Sequence, residues 1–123
     1  MLAYPIVSFV DAYYSGAFLG SVNNFFGRSG ASEETRRMVS NELHVDQEHP
    51  PVFIWTTRED TIVPYRHSEL FVDACRQARV PVTFKLYPHG PHGLGLAQSH
   101  PGELRTWTDT LLQWMAELSR QSV

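Results

Sequence analysis

The clearest hydrophobic pattern lies near the C-terminal end. Leu104, Trp107, Leu111, Trp114, Met115 and Leu118 recur at helical spacing, with Arg105, Asp109, Gln113 and Glu117 mostly elsewhere. One apolar stripe of a helix therefore faces a core. Upstream the period changes. Val82, Phe84 and Leu86 alternate with Thr83, Lys85 and Tyr87, the two-residue repeat of a strand. Before that strand, Phe71, Ala74, Cys75 and Ala78 share one helical face. Pro64 sits where such a helix starts, and Pro81 ends it. Pro50-Pro51 leads into a buried strand over Val52 to Thr56. Leu2 to Phe9 is a short apolar run, read as the first strand.

Residues 11 to 31 break the pattern. They are rich in Gly, Ser, Asn and aromatics with little clean periodicity, which suits a loop or lid. Ser32 followed by Glu33 and Glu34 marks a helix start, because a Ser cap and early acids suit the positive end of a helix. That helix is expected to reach about Ser40. The order is strand, lid, strand, helix, strand, helix. It predicts an α/β class, a partial parallel sheet with flanking helices, in one domain over 1–123 that is expected to be incomplete, with a lid-like insertion over 11–50. In such sheets the functional loops leave the C-terminal ends of the strands.

Composition narrows the classes. A chain of 123 residues and 14.0 kDa has room for one domain. Apolar residues at 42% and charged residues at 19% suit a globular chain. A formal charge of -3 gives no basic stripe, so nucleic acid is not an expected partner. No apolar run approaches the ~20 residues that span a membrane. The start, Met1-Leu2-Ala3-Tyr4-Pro5, carries no signal-type stretch, so the chain is cytoplasmic at face value. The lone Cys75 excludes an internal disulfide.

Candidate chemistry sits in two loops, each just past a strand. Arg58-Glu59-Asp60 follows the first, and Gly90-Pro91-His92-Gly93 follows the second. Neighbouring parallel strands would bring both loops to one rim. A carboxylate beside an imidazole accepts its Nδ1–H, fixes the tautomer and leaves the other nitrogen to take a proton. The plainer alternative makes Asp60 a helix cap and His92 a turn residue.

Three stretches carry a family resemblance: Pro50 to Trp55, then Asp60-Thr61-Ile62-Val63-Pro64, then Tyr87-Pro88-His89-Gly90-Pro91-His92-Gly93-Leu94-Gly95-Leu96. Together they resemble the C-terminal half of small bacterial α/β-hydrolases of the acetyl esterase and carbohydrate esterase group, related to acetylxylan and feruloyl esterases. Upstream, Tyr4 to Ser8 resembles the strand after that group's nucleophile helix. Gly20-Ser21 with Asn24-Phe25-Phe26-Gly27 resembles its lid segment. The resemblance implies that Asp60 is the acid and His92 the base of a Ser-Asp-His triad. Thr56 and Pro91 depart from it, standing where the group often has His and Gly.

A nucleophile is the missing part. The group's Gly-x-Ser-x-Gly elbow has one partial match, Gly27-Arg28-Ser29-Gly30-Ala31. An elbow needs a buried strand before its Ser, and Asn23-Asn24-Phe25-Phe26 is a poor one, so Ser29 reads as a loop residue. Cys75 reads as a small buried thiol. The expected function is a carboxylic-ester hydrolase of short acyl or carbohydrate acetyl esters. It would carry the triad Asp and His and lack the Ser elbow and oxyanion loop, so this chain alone would be inactive.

Two alternatives stand beside it: a non-catalytic fragment or interaction module, and a prolyl-peptidase-like or dienelactone-hydrolase-like enzyme. Tyr13, Tyr14 and Phe18 are candidates for shaping an acyl or sugar pocket, with local packing as their plain role. His89 and His92 straddle Pro91 in a loop, so helical ligand spacing does not apply. No metal and no cofactor are expected. An uncovered edge on the first strand predicts self-association.

Overall fold

The computed structural model describes residues 1–10, 19–27 and 30–121. Three parallel strands form its sheet in the order β1 (Leu2–Ala3), β2 (Val52–Thr57), β3 (Val82–Tyr87). Leu2 lies opposite Ile54, and β2 pairs with β3 from Val52 opposite Val82 to Thr57 opposite Tyr87. Every residue of β2 is buried, as expected of a central strand covered on both faces. Its alternation supplies two cores. Val52 and Ile54 pack with Phe71, Val72, Cys75 and Val80 on one face. Phe53 and Trp55 pack with Tyr87, Ala97, Leu104 and Trp107 on the other.

The first face is covered by α3 (Arg66–Gln77). This helix begins two residues after Pro64, whose carbonyl accepts the His67 amide at 3.0 Å. It stops before Pro81, where Arg79 adopts a left-handed φ of 62° and the Val80 amide turns back to the Cys75 carbonyl. The second face is covered by α4 (Trp107–Gln121), entered through a 3-10 turn at Glu103–Thr106. Leu104 and Trp107 are buried, whereas Met115 is 51% exposed. Met115 is one residue on from Trp114, about 100° around the helix, and falls off the packed edge of the stripe.

One expected element is much shorter than its apolar run. The first strand is expected over Leu2 to Phe9 but pairs only at Leu2–Ala3. Tyr4 sits in the left-handed region at φ 38°, and the following Pro5 has no amide to donate. Such a backbone costs roughly 1–3 kcal/mol for a non-glycine residue, and it bends the chain out of the sheet. Beyond the bend, the Val7 carbonyl accepts the Asn41 amide, and the Phe9 amide donates to the Ser40 hydroxyl at 2.8 Å.

Within residues 11–50, the described elements are α1 (Leu19–Phe26), α2 (Glu33–Met38) and a 3-10 turn at Asn41–His44. Ser32 caps α2, accepting the Thr35 amide at 3.1 Å, and the helix ends two residues before the expected Ser40. Residues 11–18, 28 and 29 lie outside the described residues.

The doubly covered β2 should dominate stability. Phe53→Ala, which empties a site with no solvent exposure, should cost about 3–5 kcal/mol. Urea denaturation should show this as a lower midpoint with little change in slope.

Candidate active site

Asp60 stands three residues past the end of β2, and His92 five residues past the end of β3. Parallel pairing puts both loops on one rim, and the two side chains meet there. The His92 Nδ1–H donates to Asp60 Oδ2 at 2.8 Å. The other carboxylate oxygen, Oδ1, accepts the amides of Ile62 at 3.0 Å and Val63 at 2.8 Å. The same carboxylate thus caps the turn into α3 with one oxygen and holds the imidazole with the other. Its side chain is 1% exposed, while that of His92 is 27% exposed. Among the described residues, no group is hydrogen-bonded to His92 Nε2. In the neutral imidazole held in this way, Nε2 carries no proton and is free to accept one.

The His92 loop is clamped on both sides. Before it, Gly90 donates its amide to Glu59 Oε2 at 3.2 Å and accepts the Thr57 hydroxyl at its carbonyl. Gly90 has φ 136°, and a Cβ there would lie 2.7 Å from Leu104 Cδ2 and 3.2 Å from Thr57 Cγ2. Only glycine suits that backbone and that gap. After it, the Gly95 amide donates to the Tyr4 hydroxyl at 3.2 Å, and the Trp107 indole donates to the Leu96 carbonyl at 3.0 Å. Tyr4 also sets its ring edge-on to His92, 4.8 Å between centroids at 70°.

Glu59 forms a second acid–histidine pair beside the first. His89 Nδ1 donates to Glu59 Oε1 at 2.8 Å. That bond, followed by the one from the Gly90 amide, holds the Glu59 carboxyl below its ordinary range. Both partners are exposed, so the pair adds little stability on its own. Its effect is to fix where the loop starts.

Sequence reasoning did not single out Glu59, Tyr4 or His67. For Glu59 the only hint is that it adjoins Asp60 while His89 lies three residues before His92, which does not by itself pair the two. Tyr4 had none, because nothing in the apolar run marks a left-handed residue. His67 is buried in α3, and its Nδ1 accepts the amides of Val7 and Ser8 at 3.4 and 3.3 Å. It therefore carries its proton on Nε2, the opposite tautomer to His92.

The other candidates are soon placed. Cys75 is buried in α3, and burial pushes its thiol up, which keeps it protonated and unreactive. His44 and His49 donate to the carbonyls of Arg37 and Pro50. Among the described residues, no three His, Cys, Asp or Glu side chains form a metal-holding group. Ser29, Tyr13, Tyr14 and Phe18 lie outside the described residues. A groove of about 450 Å³ runs beside β1 between Leu2, Ile6, Val7, Val52 and Phe71. Asp60 and His92 do not line it, and although His44 and His49 do, its lining holds no carboxylate to pair with them.

Comparison with known proteins places this geometry in context. The family model described as the prolyl oligopeptidase family matches residues 2–121. A protein of Butyrivibrio fibrisolvens named endo-1,4-beta-xylanase B is 36% identical over 97 residues, which cover 79% of this chain and 14% of that protein. Among solved structures, an acetyl ester-xyloside bifunctional hydrolase from Caldicellulosiruptor lactoaceticus superposes with a TM-score of 0.86 at 28% identity. That match covers 96% of this chain and 42% of the other. A sugar hydrolase from Lactococcus lactis, at 22% identity, TM-score 0.76 and 98% and 48% coverage, shares the fold. The chain spans less than half the length of each of these relatives.

The Glu59 clamp makes a pH prediction. A carboxyl whose pKa is lowered by folding holds its partners above the unfolded value and releases them as pH falls through the folded one. The Gly90 amide nitrogen shift should therefore titrate with a midpoint below the ordinary glutamate value, as followed by NMR. Glu59→Gln should abolish that transition.

Proposed function

Because the chain belongs to the prolyl oligopeptidase family and has a partial α/β-hydrolase fold, we propose that it carries the acid and base of a serine carboxylic-ester hydrolase. The substrates would be short acyl esters, including acetyl groups on carbohydrate. The observation that carries this reading is the 2.8 Å bond from His92 Nδ1 to the buried Asp60, with the His92 side chain partly exposed and no group among the described residues bonded to its Nε2. In that role Nε2 takes the proton from a serine hydroxyl as the oxygen attacks the ester carbonyl. The imidazolium, stabilised by Asp60, then gives the proton to the leaving alcohol. Water, activated by the same nitrogen, releases the acid. The acetyl ester-xyloside hydrolase among the relatives supports the choice of acyl group.

The serine is the part this reading assigns to a segment outside the 123 residues. In the described structure the helix α1 ends at Phe26, directly before Gly27-Arg28-Ser29. An elbow requires a strand there, which argues against Ser29 as the nucleophile. The reading assigns the oxyanion loop to the same segment. Tyr13, Tyr14 and Phe18, in the lid-like insertion of the domain, would shape the acyl or sugar pocket.

A second reading, cleavage of peptides, is favoured by the family match itself. A non-catalytic interaction module is the remaining rival. One assay series separates the three. The 123-residue chain alone should not hydrolyse p-nitrophenyl acetate above buffer. Joined behind a strand–Gly-x-Ser-x-Gly–helix segment from a related esterase, it should turn over the ester and leave prolyl peptides intact. His92→Ala should then lower kcat by about 10⁶-fold and Asp60→Asn by about 10⁴-fold. Turnover untouched by His92→Ala would sink the reading, peptide turnover would favour the second, and an inert fusion the third.

The reading also includes self-association. In the described sheet β1 is an edge, and an unpaired edge beside an apolar groove invites another strand. Sedimentation at tens of micromolar should find dimers or larger species. A monodisperse monomer would count against this part.

A further inference from the structure

The left-handed residue that cuts β1 short also stands against His92. Strand alternation would put Tyr4 on the same face as Leu2, which packs with the α3 core. Instead Ala3 and Tyr4 both pack with the α4 core, around Trp55. The φ of 38° is what carries the Tyr4 side chain to that face, and its amide still reaches the Trp55 carbonyl at 2.7 Å. There the ring touches Trp55 edge-on at 5.0 Å and 86°, and His92 at 4.8 Å and 70°. Its hydroxyl accepts the amide of Gly95, three residues past His92.

These contacts complete what the carboxylate cannot do alone. A single hydrogen bond at Nδ1 leaves the imidazole free to pivot about the line to Asp60 Oδ2. A ring packed edge-on against the imidazole opposes that pivot, and the hydroxyl anchors the loop on the far side of His92. Strained backbone of this kind persists where surrounding structure enforces it, often beside functional groups. We infer that Tyr4 is a positioning residue for His92: its left-handed backbone places a phenol that fixes the plane of the imidazole and the exit of its loop. This rests on the reading of His92 as the base of an ester hydrolase, since the direction of Nε2 matters only if that atom moves a proton. Small misplacements of such a group are costly to catalysis.

The test uses NMR on the 123-residue chain, without ester turnover. Three variants separate the phenol's parts, with the Trp55 and Trp107 indole resonances as the control for an intact fold. Tyr4→Phe keeps the ring. It should leave His92 in one rotamer by three-bond couplings, while Gly95 amide exchange rises about tenfold, as expected for one lost hydrogen bond. Tyr4→Leu removes the ring. It should average the His92 rotamers and speed exchange of the Nδ1 proton roughly two- to tenfold, the range of an aromatic contact. Tyr4→Gly removes the ring and also relieves the backbone strain. It should free His92 in the same way with the indoles unmoved, a split that a purely structural role would not produce.

A single His92 rotamer with unchanged Nδ1 exchange in both ring-less variants would overturn the inference. Loss of the native indole resonances in both would also overturn it, because Tyr4 would then be a core residue. Either result leaves the ester-hydrolase reading standing, and an inert fusion in the turnover assay leaves the role of Tyr4 standing.

Discussion

The carboxylate of Asp60 is nearly shut off from water, and a buried carboxylate is costly unless its lone pairs are filled. Three N–H donors reach its two oxygens. Two are backbone amides from the turn into α3, and the third is the imidazole of His92. The two amides are local, and they hold the carboxylate in place whether or not His92 is present. The imidazole bond is long-range and ties the loop after β3 to the loop after β2. Much of the rim's geometry is a consequence of supplying these three donors to one group. The choice between helix cap and histidine partner therefore disappears, since Asp60 is both.

The scaffold makes that convergence inexpensive. Parallel pairing of β2 and β3 in full register sets their ends side by side, so Thr57 faces Tyr87. Thr57 then reaches the Gly90 carbonyl, Glu59 reaches His89 and the Gly90 amide, and Asp60 reaches His92, forming a ladder of hydrogen bonds that ties the two loops together past the last strand residues. Gly90 is the point where this ladder is tightest, with Leu94, Leu104 and Thr57 closing around it. On the other side, the backbone of Tyr4 departs from the sheet, and its side chain meets the same histidine. Rigid strands position the loops, and strain appears at a residue that touches the imidazole.

Much of the fold was legible in the chain because it follows from periodicity. The alternation at Val82 to Tyr87, the faces of α3 and α4 and the unbroken run of β2 each reflect a burial pattern with its own period. The loops of Asp60 and His92 were legible because strand ends and glycines mark them. The length of β1 was not. An apolar run can be a strand or a bent segment lying on a core, and the sign of φ at Tyr4 leaves no trace in hydropathy. Glu59 was hidden for another reason. An exposed acid beside a second acid has many solvated explanations, and only the fold shows His89 opposite it. Met115 shows the limit of a helical stripe, whose edge depends on how the helix lies across the sheet.

All of this rests on the protonation of one ring. Long-range proton–nitrogen correlation spectra of the 123-residue chain, taken at alkaline pH where the imidazole is neutral, should show His92 as a single tautomer, with the proton on Nδ1 and Nε2 bare. Asp60 accounts for that state, because its carboxylate accepts at Nδ1. A proton resident on Nε2, or an even mixture of the two tautomers, would contradict the account.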